Sequence, residues 1–158
     1  GIKNLIIADG DLIEEKNINR QILFDLGDVG KKKVEVAENK LKLINTNCNI
    51  VKIDSYVDGK NIDQLSNCSI IVDATDNWST SMLLNEFCIK NSINFLYSSV
   101  VKHDLQIILF ENTKKNDHLC LNCIFIPSYI ILLSLECFTN TRIVFITFMK
   151  RLLLLLAN

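Results

Sequence analysis

The residues able to do chemistry stand directly after the apolar runs of this chain. Asp9 closes the run Leu5-Ile6-Ile7-Ala8, and an acid in that place either accepts hydrogen bonds from a nucleotide ribose or serves as a turn residue. Asn17, Arg20 and Gln21 follow, then Lys31, Lys32 and Lys33. A guanidinium, an amide and an ammonium gathered near strand ends can hold a triphosphate and offset charge as phosphoryl bonds rearrange; scattered in a loop, the same residues are a solvated surface. Asp73, Asp76 and Asn77 come after the run Ser69-Ile70-Ile71-Val72. A carboxylate there suits a hard Mg²⁺ ion beside phosphates, and Asp76-Asn77 also suits the cap of a following helix. Cys120 and Cys123 make one CxxC, which is half of a four-thiolate zinc site, a redox pair, or two ordinary thiols. A redox pair is expected to open a helix after a strand, whereas this one follows the polar stretch 111–118, so half a zinc site is the preferred reading. No second CxxC exists, and Cys137 and His118 are poor substitutes for one.

The elements that must position these residues alternate in period. The runs at 5–8, 50–53 and 69–72 read as short strands, the first and last of them as buried parallel strands covered on both faces. Residues 31–45 place Val34, Ala37, Leu41 and Ile44 at helical spacing, with Lys31, Lys32, Glu35, Glu38 and Lys42 off that stripe. Residues 61–65 read as a helical turn, and 78–90 as a helix whose apolar face is Leu83, Leu84, Phe87 and Cys88. Residues 95–97 and 105–110 complete the pattern as strands. Strands alternating with helices predict an α/β fold with a doubly wound, mostly parallel sheet, in which ligands bind beyond the carboxyl ends of the strands. The five glycines, at positions 1, 10, 27, 30 and 59, form no GxGxxG. If Asp9 is the ribose acid, that loop belongs about 20 residues earlier. The expectation is therefore a chain lacking its first strand, loop and helix.

Composition narrows the classes. With 17 Lys+Arg against 18 Asp+Glu the formal net charge is -1, so no general attraction to nucleic acid or anionic membrane is expected. Six scattered cysteines do not make a secreted disulfide scaffold, and no signal peptide opens the chain, so a reducing cytoplasm is the expected compartment. Residues 128–158 differ from the body: 20 of these 31 positions are apolar, yet Glu136 and the pair Lys150-Arg151 keep every run too short to span a membrane. Residues 1–127 are read as one domain and 128–158 as an apolar tail of divergent composition, the change expected of a truncated, frameshifted or mis-joined product.

Taken in order, Asp9-Gly10-Asp11, Asn17-Ile18-Asn19-Arg20-Gln21, Val29-Gly30-Lys31-Lys32-Lys33, Asp73-Ala74-Thr75-Asp76-Asn77 and Cys120-x-x-Cys123 resemble the ThiF/MoeB/HesA family of adenylyltransferases, which also includes the catalytic domain of ubiquitin-activating enzymes. The resemblance covers residues 1–127 and implies a Rossmann-like fold. It further implies ATP-dependent adenylation of the C-terminal glycine of a ubiquitin-like or sulfur-carrier protein, as in molybdopterin or thiamine biosynthesis, by a homodimer using Mg²⁺ and Zn²⁺. By resemblance Asp9 binds the ribose, Asn17, Arg20 and Gln21 contact the nucleotide, Lys33 lies on the phosphates, Asp76 with Asn77 serves the Mg²⁺-nucleotide, and Cys120 and Cys123 are two zinc ligands. Arg20, Lys33 and Asp76 are the implied catalytic residues. The family's phosphate loop, an N-terminal arginine, a second CxxC and any acceptor cysteine have no match, so the expectation is an inactive fragment. The competing readings are a non-catalytic partner subunit of an activating enzyme and a nicotinamide- or flavin-binding oxidoreductase; Asp9 alone supports the latter.

Overall fold

A computed structural model describes residues 2–101, 104–112 and 120–125, so the tail lies outside the described residues. The chain divides into two compact units, one running to Val57 and the other beginning at Asp58.

In the first unit, β1 (Asn4–Ala8) and β2 (Asn49–Ile53) pair in parallel, Asn4 opposite Asn49 and Ala8 opposite Ile53. A parallel pair needs a long crossover. It contains α1 (Glu15–Ile18), a 3₁₀ turn (Leu26–Asp28) and α2 (Lys33–Ile44), which packs on β2. The predicted stripe of α2 is buried at Val34 and Ala37, joined by Val36, but Ile44 is 72% exposed. The buried face is concentrated at the start of the helix, where Leu12 bridges to Lys32 and Ile13 is buried. β1 also departs from the expectation of a strand covered on both faces: Leu5, Ile6 and Ile7 are half-buried. Among the described residues its ladder runs only to β2.

The second unit holds a three-stranded sheet in the order β3-β4-β5, made of Ile70–Asp73, Asn94–Val101 and Asp104–Phe110. β3 and β4 are parallel, linked by α3 (Trp78–Asn91), which packs on both. Only two residues separate β4 from β5, too few for a parallel crossover, and the pair is antiparallel with Phe95 opposite Phe110. Those two rings stack at 5.9 Å, and both are buried. Along β3, Ile71 and Asp73 are buried while Ile70 and Val72 are about half exposed, so one face is covered and not two. On α3, Leu84, Phe87 and Cys88 are buried as expected and Leu83 only partly; Ser81 and Asn85 share the buried face. Asn85 Oδ1 accepts the Leu121 N–H at 3.0 Å, which fixes the start of α4 (Leu121–Ile124) on α3.

Candidate functional site

The cluster at the carboxyl end of β1 is built by backbone pairing. Asp9 N–H donates to Ile53 O, extending the β1–β2 ladder, and Asp9 Oδ1 then accepts the Asp11 N–H at 2.8 Å. Residues 11–13 run antiparallel to 30–33: Lys33 N–H donates to Asp11 O, and Ile13 N–H to Lys31 O. Gly30, at φ +86, makes the turn that begins this pairing and donates its N–H to Ile13 O. Lys33 is thereby set as the first residue of α2, its stem buried at 8% exposure. Its Nζ lies 2.6 Å from Asp11 Oδ2 and 3.6 Å from Asp9 Oδ2.

Asp11 holds more than the lysine. The Tyr56 hydroxyl donates to Asp11 Oδ1, and the ring reaches it over Gly10, where a Cβ would meet Tyr56 N at 3.1 Å. The Lys33 ammonium, then the Tyr56 hydroxyl, hold the Asp11 carboxyl below the usual carboxylate range. Asp11 in turn raises the Tyr56 phenol. The three neighbouring lysines thus divide: Lys31 pairs with Asp28, Lys32 with Asp54, and only Lys33 joins the acids that follow β1.

Asn17, Arg20 and Gln21 form a second, smaller group. Asn17 is buried; its Oδ1 accepts from Arg20 Nη2 at 3.1 Å, and its carbonyl accepts the N–H groups of Arg20 and Gln21. Arg20 Nη1 donates to Lys16 O, so the guanidinium folds back on its own turn and is not joined to the Lys33 cluster. Gln21 Oε1 is buried with no hydrogen-bond partner among the described residues.

In the second unit, Asp73, Asp76 and Asn77 separate into distinct duties. Asp73 is fully buried; Oδ1 accepts from Thr75 N–H and Oγ, and its carbonyl accepts the Ser98 hydroxyl at 2.7 Å. Asn77 caps α3, accepting the N–H groups of Ser79 at 2.9 Å and Thr80 at 3.3 Å. Asp76 is exposed, and its carboxylate engages no partner among the described residues. An exposed carboxylate fits the oxygen preference of Mg²⁺.

Cys120 caps α4, so this CxxC does open a helix, contrary to the expectation from the polar stretch before it. The helix has four residues, and Phe125 just beyond it meets Trp78 and Tyr97 edge-on. The sulfurs lie 3.1 Å apart. Thiolates sharing a tetrahedral zinc at ~2.3 Å would sit about 3.8 Å apart, a small separation from this arrangement. The pair thus fits half a zinc set; the described residues contain no cluster of three or more His, Cys, Asp or Glu able to complete one. Burial, and then the neighbouring Cys123, raise the Cys120 thiol.

Mostly parallel strands linked by helices, with acids after their carboxyl ends, define an α/β domain of the Rossmann-like class. The chain belongs to the ThiF family, whose pattern matches residues 1–132. A probable molybdopterin-synthase adenylyltransferase of Gracilaria tenuistipitata var. liui is 32% identical over 112 residues, 70% of this chain and 32% of that protein. The sulfur carrier protein ThiS adenylyltransferase of Bacillus subtilis is 38% identical over 104 residues, 64% of this chain and 31% of that protein. Among solved structures, E. coli MccB with AMPCPP and MccA superposes with a TM-score of 0.70 at 26% identity, over 82% of this chain and 39% of that one. The chain therefore spans about a third of the length of these curated relatives. No helix among the described residues is long and apolar enough to cross a membrane.

Proposed function

We propose that this chain is part of an ATP-dependent adenylyltransferase that activates the C-terminal glycine of a ubiquitin-like or sulfur-carrier protein, working as a cytoplasmic homodimer. The observation that carries the reading is the buried Lys33 whose ammonium stands 3.6 Å from Asp9 at the end of β1. A ribose acid and a phosphate lysine belong within one nucleotide's length of each other. The relatives named as adenylyltransferases of sulfur-carrier and molybdopterin-synthase proteins support the same class.

In this reading a carrier carboxylate oxygen attacks the α-phosphorus, the bond to the bridging oxygen breaks, and pyrophosphate leaves with the electron pair. The nucleophile is already an anion, so no general base is required. Negative charge builds on the reacting phosphoryl group and on pyrophosphate, and fixed cations stabilise it. Lys33 and Arg20 would supply those cations. Asn17, Gln21 and Asn77 would contact the nucleotide, and Asp9 would accept from the ribose hydroxyls. Asp76 would hold Mg²⁺, whose charge offsets that of the triphosphate. Cys120 and Cys123 would supply two thiolates to a structural zinc site.

The test is carrier-dependent exchange of pyrophosphate into ATP by the whole gene product. Lys33→Ala and Asp76→Ala should each reduce it by on the order of 10², the loss expected when preorganised charge stabilisation is removed. Near wild-type exchange in both variants removes these residues from the mechanism. Dependence on NAD(P) with no effect of a carrier would favour an oxidoreductase.

A further inference from the structure

We propose that Asp11 is an internal competitor for the Lys33 ammonium, one that an incoming polyphosphate must displace before the lysine can serve it. The inference rests on reading Lys33 as a phosphate-binding lysine. Its own ground is the geometry of the cluster. Asp11 Oδ2 takes Lys33 Nζ at 2.6 Å, while Asp9 stands a full ångström farther at 3.6 Å. Oδ1 of Asp11 is anchored separately by the Tyr56 hydroxyl. Asp11 is thus held from a second side, by a residue that follows β2, in the position that engages the lysine.

The charges make the competition unavoidable. Asp9, Asp11 and Lys33 together carry one net negative charge, so the resting cluster repels a polyanion unless the lysine is released to it. The stem of Lys33 is buried and cannot swing far, but Asp11 is nearly half exposed on its side chain. A phosphate oxygen can therefore approach from the Asp11 side and take the ammonium by exchange of one charge-assisted bond for another. Asp11 then keeps its hydrogen bond from Tyr56. Asp11 is in this sense an affinity-setting residue acting through Lys33, not a catalytic one.

The experiment is calorimetric titration of the full chain with inorganic tripolyphosphate at fixed low ionic strength, for wild type, Asp11→Asn, Lys33→Gln and the double variant. Asp11→Asn should bind about two- to fivefold more tightly than wild type, the range for losing one partly exposed ion pair, and the gain should vanish in the Lys33→Gln background. An equal gain in that background would reduce the effect to plain charge removal, and unchanged or weaker binding by Asp11→Asn would make Asp11 an orienting residue; either overturns the competition. Binding by neither wild type nor Asp11→Asn overturns the nucleotide reading along with it. Should Asp11→Asn fail to fold, wild type alone decides. Saturation with tripolyphosphate should move the Asp11 carboxyl titration, followed by carbon NMR, up toward the ordinary range, and an unmoved titration refutes the exchange.

Discussion

Asn77→Ala separates a helix cap from a ligand contact at a position suited to both. The Asn77 side chain accepts two N–H groups of the first turn of α3, at 2.9 and 3.3 Å. Alanine leaves both without that acceptor, while the backbone bond from Ser81 N–H to Asn77 O remains. Because Asn77 is exposed, water replaces part of what is lost, and the cost should be about 1 kcal/mol, midway in the range for cap removal. With a urea m-value of roughly 2 kcal/mol per molar, the unfolding midpoint should fall by about 0.5 M. Asn77→Asp keeps an acceptor and adds a negative charge at a helix N-terminus, so its midpoint should equal or exceed that of wild type. Urea unfolding followed by far-ultraviolet circular dichroism measures all three. An unchanged midpoint in the alanine variant, or an aspartate variant as weak as alanine, would refute the capping argument. A stable Asn77→Asp variant that loses ATP binding would show that the amide also serves the nucleotide.

Two further outcomes follow from titrating groups. Lys40, and then the Asp25 N–H, lower the Asp28 carboxyl from 3.8 to about 2; its stabilisation is present above pH ~4 and lost as pH falls toward 2. Asp28→Asn should flatten the acid limb of stability against pH over that window, and an unaltered slope would refute the pairing. Burial, and then Cys68, push the Cys88 thiol up to about 12, whereas Cys123 is only half-buried. Alkylation near pH 8, read by mass spectrometry, should therefore modify Cys123 well before Cys88, and equal rates would contradict the burial of Cys88.

Local pattern was enough for the succession of elements. The runs at 5–8 and 50–53 lie in β1 and β2, the run at 69–72 overlaps β3 from Ile70, and helical spacing over 31–45 and 78–90 locates α2 and α3. The acids at 9 and 76 and the amide at 77 were legible because position relative to a strand end is itself a local property. Tertiary pairing decided the rest. Asp11 and Lys33 are 22 residues apart, and they meet because Leu12 pairs antiparallel with Lys32; Asp-Gly-Asp in the sequence was the only sign of the second acid. Tyr56 joins them across a close approach to Gly10 that no periodicity records. Asn85 is buried on α3 because its side-chain oxygen accepts the N–H of Leu121, 36 residues away in sequence. Periodicity reports which residues share a face. The partner of a buried charge or amide is set by the register of segments distant in sequence, and that register exists only in the folded chain.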